Sequence, residues 1–212
     1  KKYVKRFDMN TNFLNSVTNF LKKRTFEFIG LILISTSIGL AIAFTTYSPE
    51  DPSFVYGDRE FEIKNFFGIY GSSIADFLLQ SFGLVSFLIL ANLLFWGINL
   101  IIQKKIKRIV FKLFLVVSYL VLGTIFIYIT SNNSFWLIDN GNSGFVGKIG
   151  YEFLSAWFPY SDNTYSAYGL FLLTLTFFIY SADLNIKKII AGAFSIIASL
   201  FKRKEKTIPE IN

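Results

Sequence analysis

The sequence contains no cysteine and no histidine. Without cysteine it has no disulfide, no thiolate metal site and no thiol nucleophile, and nothing reports on the redox state of its compartment. Without histidine the commonest metal ligand and general base is missing too. Charge is scarce: Asp, Glu, Lys and Arg make up 17% of 212 residues, against about 25% in a soluble domain. That leaves too little polar side chain to cover a globule in water. No cleavable signal peptide is evident, because the first apolar run lacks a small-residue cleavage site at its end.

What the chain does have is hydrocarbon. Apolar residues make up 53% of it, with 26 phenylalanines. Residues 28–47, 77–102, 113–130 and 165–182 are four stretches free of Asp, Glu, Lys and Arg. The first is long enough, at ~1.5 Å per residue, to cross a ~30 Å hydrocarbon core. The second is longer and is expected to tilt. With their flanks the spans are expected over 28–47, 74–102, 109–130 and 165–184. The fold class is therefore all-α, an integral membrane protein of four transmembrane helices.

Net charge is +7, and its placement sets orientation. Basic residues gather before the first span (Lys1, Lys2, Lys5, Arg6, Lys22, Lys23, Arg24), between the second and third (Lys104, Lys105, Lys107, Arg108, Lys112) and after the fourth (Lys187, Lys188, Lys202, Arg203, Lys204, Lys206). The other two loops hold only Arg59, Lys64 and Lys148, beside eight acidic residues. The positive-inside rule then gives an N-in, C-in topology. Blocks of charge beside apolar runs also argue against nucleic-acid contact by this segment.

The domain reading is a basic amphipathic lead (1–26), a four-helix membrane domain (27–186) and a basic cytoplasmic segment (187–212). In the lead, Phe13, Leu14, Val17, Phe20 and Leu21 recur at helical spacing and predict an interfacial amphipathic helix on the inner leaflet. Residues 189–201 read either as a second such helix or as a continuation of the fourth span. In the outer loop before that span, Gly141, Gly144, Gly147 and Gly150 fall every third residue. They precede an apolar stripe of Phe145, Val146, Ile149, Phe153 and Trp157. A short interfacial helix or a re-entrant turn fits this pattern. A phosphate loop does not, because Gly147-Lys148 is followed by Ile149 and preceded five positions earlier by Asn142.

Candidates for chemistry are few. No ionisable side chain lies well inside a span, whereas an ion-coupled carrier is expected to bury a carboxylate. A small oligomeric carrier or channel therefore stands as the alternative reading, and a membrane enzyme ranks below it. Ser35, Gly39 and Ala43 form a small-residue ridge for helix packing, and Asn92 and Asn99 are expected to hold helices together.

The first outer loop is more specific. The run Tyr47-Ser48-Pro49-Glu50-Asp51-Pro52-Ser53 places two prolines around an acidic pair, which stops a helix sharply. It is followed by Asn65, Gly68, Gly71, Ala75-Asp76 and Phe82-Gly83. The combination resembles the N-terminal four-transmembrane domain of FtsK/SpoIIIE-type DNA translocases over roughly residues 25–188, and residues 142–147 resemble that family's glycine-rich stretch. Leu90 departs from the pattern, standing where many members carry a helix-kinking proline. The resemblance implies a multi-pass anchor in the bacterial inner membrane at the division septum, in contact with the lipid bilayer and other division-site membrane proteins. It implies a hexameric motor using ATP and Mg²⁺ to pump DNA, in a domain these residues do not include. For this chain it implies no catalytic, cofactor or metal site. The candidate functional residues are Ser48, Pro49, Asp51, Pro52, Ser53, Asn65, Gly68, Gly71 and Asp76, for which the simplest role is shaping the helix connection.

Overall fold

A computed structural model describes residues 2–54, 62–105, 108–134, 136–137, 139–158 and 163–185, with isolated positions 187, 191 and 195, and side chains from residue 13 onward. Six α-helices are described: α1 (Lys2–Thr45), α2 (Gly68–Phe82), α3 (Ser86–Gln103), α4 (Ile109–Ser131), α5 (Gly144–Trp157) and α6 (Thr164–Ser181). Four stretches are long and apolar enough to cross a membrane: Phe13–Thr45, Gly68–Gln103, Ile109–Ser131 and Thr164–Ser181. Large apolar side chains remain exposed along them, among them Phe28 and Leu31 on α1, Phe114 and Val117 on α4 and Leu172 on α6. In water that surface would drive aggregation, whereas in a bilayer it faces lipid.

The lead is not a separate interfacial helix. It runs without interruption into the first span as one helix of 44 residues. At ~1.5 Å per residue that is about 66 Å, roughly twice the hydrocarbon core. The physical reason is local: no proline occurs in α1 and its first glycine is Gly30, so the basic cluster 22–24 marks a membrane boundary without breaking the hydrogen-bond ladder. The helix ends where Ser48-Pro49 forbids another turn.

The second span departs from expectation in the other direction. In place of one tilted helix it is α2 and α3, joined by a 3₁₀ turn at Gly83–Val85. Gly83 sits at φ 55°, ψ −139°, a conformation open to glycine alone. The break falls there and not near Leu90. The Ser86 hydroxyl spans it by donating to the Leu78 carbonyl at 2.7 Å.

Helix α1 packs on α3 and α4 on α6. The α1–α3 contact is backbone on backbone: a Cβ on Gly30 would lie 2.7 Å from the Gly97 carbonyl oxygen, and one on Gly97 2.6 Å from that of Gly30. Further out, Ser37 donates to the Leu90 carbonyl at 2.8 Å. The ridge expected at Ser35, Gly39 and Ala43 is divided by the structure. Ala43 is buried in the core, but Ser35 is exposed and nothing lies within 4 Å of a Cβ placed on Gly39. The helix contact runs instead through Gly30 and Ser37. Asn99 ties α3 to α6 by donating to the Ala182 carbonyl at 3.2 Å. Asn92 is buried with an Oδ1 that has no partner among the described residues.

Helix α5 turns its glycine edge inward, with Gly144 and Gly147 buried, and lies on α4, where the Tyr128 and Tyr151 rings stand 4.8 Å apart. Phe145, Ile149, Phe153 and Trp157 point away and are exposed. Helix α6 stops at Ser181, and Asp183 at φ 53° turns the chain out of it. The fourth span therefore does not run on through 183. Most of 189–201 lies outside the described residues.

Candidate docking site on the outer face

The sharp turn after α1 is held by its own backbone. The Asp51 N–H donates to the Ser48 carbonyl at 3.1 Å, and the Glu50 N–H to the Ser48 hydroxyl at 3.4 Å. This folds the Asp51 carboxylate inward, where it is 8% exposed. Its two oxygens accept the N–H groups of Lys64 at 2.9 Å and Asn65 at 2.8 Å. One side chain thus ties together backbone positions thirteen and fourteen residues further along the chain, and hydrogen bonds to a carboxylate acceptor are the strong ones. Pro52 contributes its carbonyl, which accepts from the Ser72 hydroxyl at 2.6 Å.

Asn65 continues the clamp. It is 4% exposed, donates through Nδ2 to the Ala43 carbonyl of α1 at 2.9 Å, and accepts the Phe67 N–H at 3.1 Å. Gly68, at φ 60°, then starts α2. Gly71 has to lack a Cβ, because one would lie 2.1 Å from the Asn65 Oδ1. Asp76, one turn on, accepts from the Tyr47 hydroxyl at 3.0 Å. Ser48, Asp51, Pro52, Asn65, Gly68, Gly71 and Asp76 are thus linked to one another and to α1 along the α1–α2 connection and the start of α2, while Pro49 and Ser53 line the cleft described below.

The second outer loop joins it through residues that sequence reasoning missed. The Gln80 amide donates to the Tyr47 hydroxyl at 3.1 Å and reaches Asp139 at 3.5 Å, while Asn140 donates to the Gln80 Oε1 at 2.8 Å. At the α2–α3 break the Leu84 N–H donates to the Asn142 carbonyl at 2.8 Å. Asn142 in turn donates to the carbonyls of Ser131 and Asn133. Tyr47 and Gly83 had been visible only as parts of a family pattern, and Gln80 and Asn140 carried no local signal at all.

Between the two loops and α2 lies a cleft of about 790 Å³. Asp51, Asp76 and Asp139 line it together with Phe54, Phe77 and Phe145. Ser73, also on its wall, is 1% exposed, and its hydroxyl has no partner among the described residues. No lysine or arginine lines the cleft among the described residues, and Lys64, in the first outer loop, is held by Glu50 at 2.5 Å. That pairing holds the Glu50 carboxyl below, and the Lys64 ammonium above, their ordinary ranges. The cleft is therefore acidic and aromatic. Among the described residues, no group of three or more carboxylates is placed to hold a metal ion.

Fold and charge define a multi-pass membrane domain whose two outer loops are tied together around an acidic, aromatic cleft. Its family follows from comparison: the profile described as the 4TM region of DNA translocase FtsK/SpoIIIE matches residues 22–191, and the chain belongs to that family. It is similar to proteins named DNA translocase FtsK. That of Rickettsia bellii (strain RML369-C) is 29% identical over 169 residues, 79% of this chain and 20% of the relative. That of Rhizobium meliloti (strain 1021) is 28% identical over 134 residues, 63% and 15%. That of Azospirillum brasilense is 31% identical over 94 residues, 44% and 15%. The chain thus spans a fifth or less of the length of these relatives, and the family match covers the membrane region and not a motor. No solved structure matches.

Proposed function

We propose that this chain is the membrane anchor and division-site scaffold of an FtsK-type DNA translocase in the bacterial inner membrane at the septum. In this reading ATP, Mg²⁺, hexamer formation and DNA pumping belong to a motor domain outside residues 1–212. The four helices fix that motor to the bilayer, and the outer cleft receives a segment of another division-site membrane protein. The observation carrying the proposal is the cleft itself. Two loops far apart in sequence are locked together around three carboxylates, with exposed aromatic faces beside them. That lining suits a cationic side chain flanked by apolar ones, since aromatic faces attract cations.

The test alters the lining and spares the clamps. Phe54 is 73% exposed, so Phe54→Ser with Asp139→Asn leaves the contacts of Asp51 and Asn65 in place. The double variant is expected to insert normally and to lose septal enrichment of a fluorescent fusion. Unchanged enrichment would refute outer-face docking. The rival carrier reading rests on the unpartnered Asn92 and predicts proteoliposome flux that Asn92→Leu abolishes.

A further inference from the structure

At the opposite end of the bundle the helices leave a gap. A pocket of about 210 Å³ opens between Ile29 and Leu33 of α1, Leu100 of α3 and Ile109 of α4. Its walls are hydrocarbon, and its polar neighbours are engaged elsewhere. Trp96 donates its indole N–H to the Ser181 carbonyl at 2.7 Å, and Asn99 is tied to Ala182 at 3.2 Å. Lys112 is paired with Asp183. Lys104, beside the rim, is held by Glu27 at 2.5 Å, and Arg24 binds the same carboxylate. At the mouth stands Lys105, exposed and without a partner among the described residues. Gln103 beside it donates to Asn99 at 3.4 Å through one hydrogen of its amide, leaving a second.

The position of this pocket decides what fills it. It lies at the end of the spans that carries the basic clusters, the cytoplasmic side by the charge rule. An apolar slot gives water too few hydrogen-bond partners to hold it, and at this depth the surrounding solvent is lipid hydrocarbon. Lys105 and Lys112 line the pocket with Asp183, and the adjoining helix ends carry Lys22, Lys23, Arg24, Lys104, Arg108 and Lys187 against Glu27 among the described residues from 22 onward, so a headgroup arriving there meets positive potential. Basic pockets between helices on this side suit anionic headgroups. We propose that the pocket seats one anionic phospholipid of the inner leaflet, with part of an acyl chain between Ile29, Leu33 and Leu100 and its phosphate on Lys105 and the Gln103 amide. This site is independent of the outer cleft and of the proposed role in division.

Trp96 lines the pocket and reports on it. The other two tryptophans, Trp136 and Trp157, belong to the outer loop and α5. With both replaced by Phe, and helicity checked by circular dichroism, the full 212-residue chain is reconstituted into phosphatidylcholine vesicles. These are doped with brominated phosphatidylglycerol or, at the same mole fraction, brominated phosphatidylcholine. The anionic lipid is expected to quench Trp96 with about fivefold preference, the equivalent of the ~1 kcal/mol that one basic residue contributes at an anionic surface. Lys105→Gln is expected to remove the preference and Lys105→Arg to keep it. Equal quenching by the two lipids, or a preference untouched by Lys105→Gln, would overturn the proposal. Loss of the preference on adding inorganic phosphate would also overturn it, because the site would then read phosphate and not lipid.

Discussion

At the outer end of the bundle Asp51, Asn65, Gln80 and Asn142 spend their polar atoms mainly on backbone groups and neutral side chains, Gln80 also reaching the Asp139 carboxylate, and glycines let the chain approach itself. At the cytoplasmic end the described ties between elements include ion pairs, Lys104 with Glu27 and Lys112 with Asp183. There two basic residues, Lys104 and Arg108, sit in the left-handed region at φ 52° and 49°. The outer end is thus specified by shape and short hydrogen bonds, which salt does not screen. The inner end is specified more by charge, which salt and lipid headgroups do screen. An outer face built this way presents a fixed surface, and an inner face built this way adjusts to the leaflet it meets.

The largest effect expected from breaking that contrast is at Gly83. A Cβ there would lie 1.9 Å from the Asn142 carbonyl oxygen, a backbone atom that itself accepts the Leu84 N–H. Gly83→Ala adds the penalty of a glycine-only conformation to that collision, about 3 kcal/mol or more together. Thermal unfolding in detergent micelles measures it. A variant as stable as the parent would mean that the second outer loop is not seated on the helix break, and the cleft would lose one wall.

A smaller effect is expected at the inner end. Lys112 is 13% exposed and its partner Asp183 39%, so the pair is partly shielded. Removing the ammonium with Lys112→Gln strands a carboxylate that water still reaches, and a loss of about 1 kcal/mol is expected. Raising the salt concentration should shrink the difference between parent and variant, whereas the Gly83→Ala difference should persist. Equal salt sensitivity in the two variants would dissolve the distinction between the ends.

Hydropathy made the four spans legible, because crossing ~30 Å of hydrocarbon leaves a compositional mark that no tertiary contact is needed to read. The Asp51 turn was legible for a similar reason, two prolines being a local instruction. The α2–α3 break was not, since Gly83–Val85 is as apolar as the helices around it and a lone glycine in such a run is weak punctuation. Continuity of α1 was hidden by Lys22, Lys23 and Arg24, which read as a boundary in charge but are good helix formers. The tyrosine–glutamine–asparagine chain at Tyr47, Gln80 and Asn140 joins positions 33 and 60 residues apart. Nothing local marks such a pairing, so half of the outer site emerged only in three dimensions.

The smallest expected effect lies within the outer end and sharpens what its clamps are made of. Glu50 and Lys64 pair at 2.5 Å, but their side chains are 75% and 61% exposed. Lys64 is already positioned through its backbone, whose N–H is held by Asp51. Glu50→Gln should therefore leave the unfolding temperature at neutral pH almost unchanged, as exposed pairs usually do. The direction of any residue of effect is fixed by linkage. The Glu50 carboxyl titrates lower in the folded protein than its ordinary value because of Lys64. Its contribution is present above the ordinary carboxylate range and fades as pH falls through the lowered value. Parent and variant should thus converge in acid and differ, slightly, only above it. A large difference at neutral pH would mean that the side-chain pair, and not the buried Asp51 carboxylate, closes the loop.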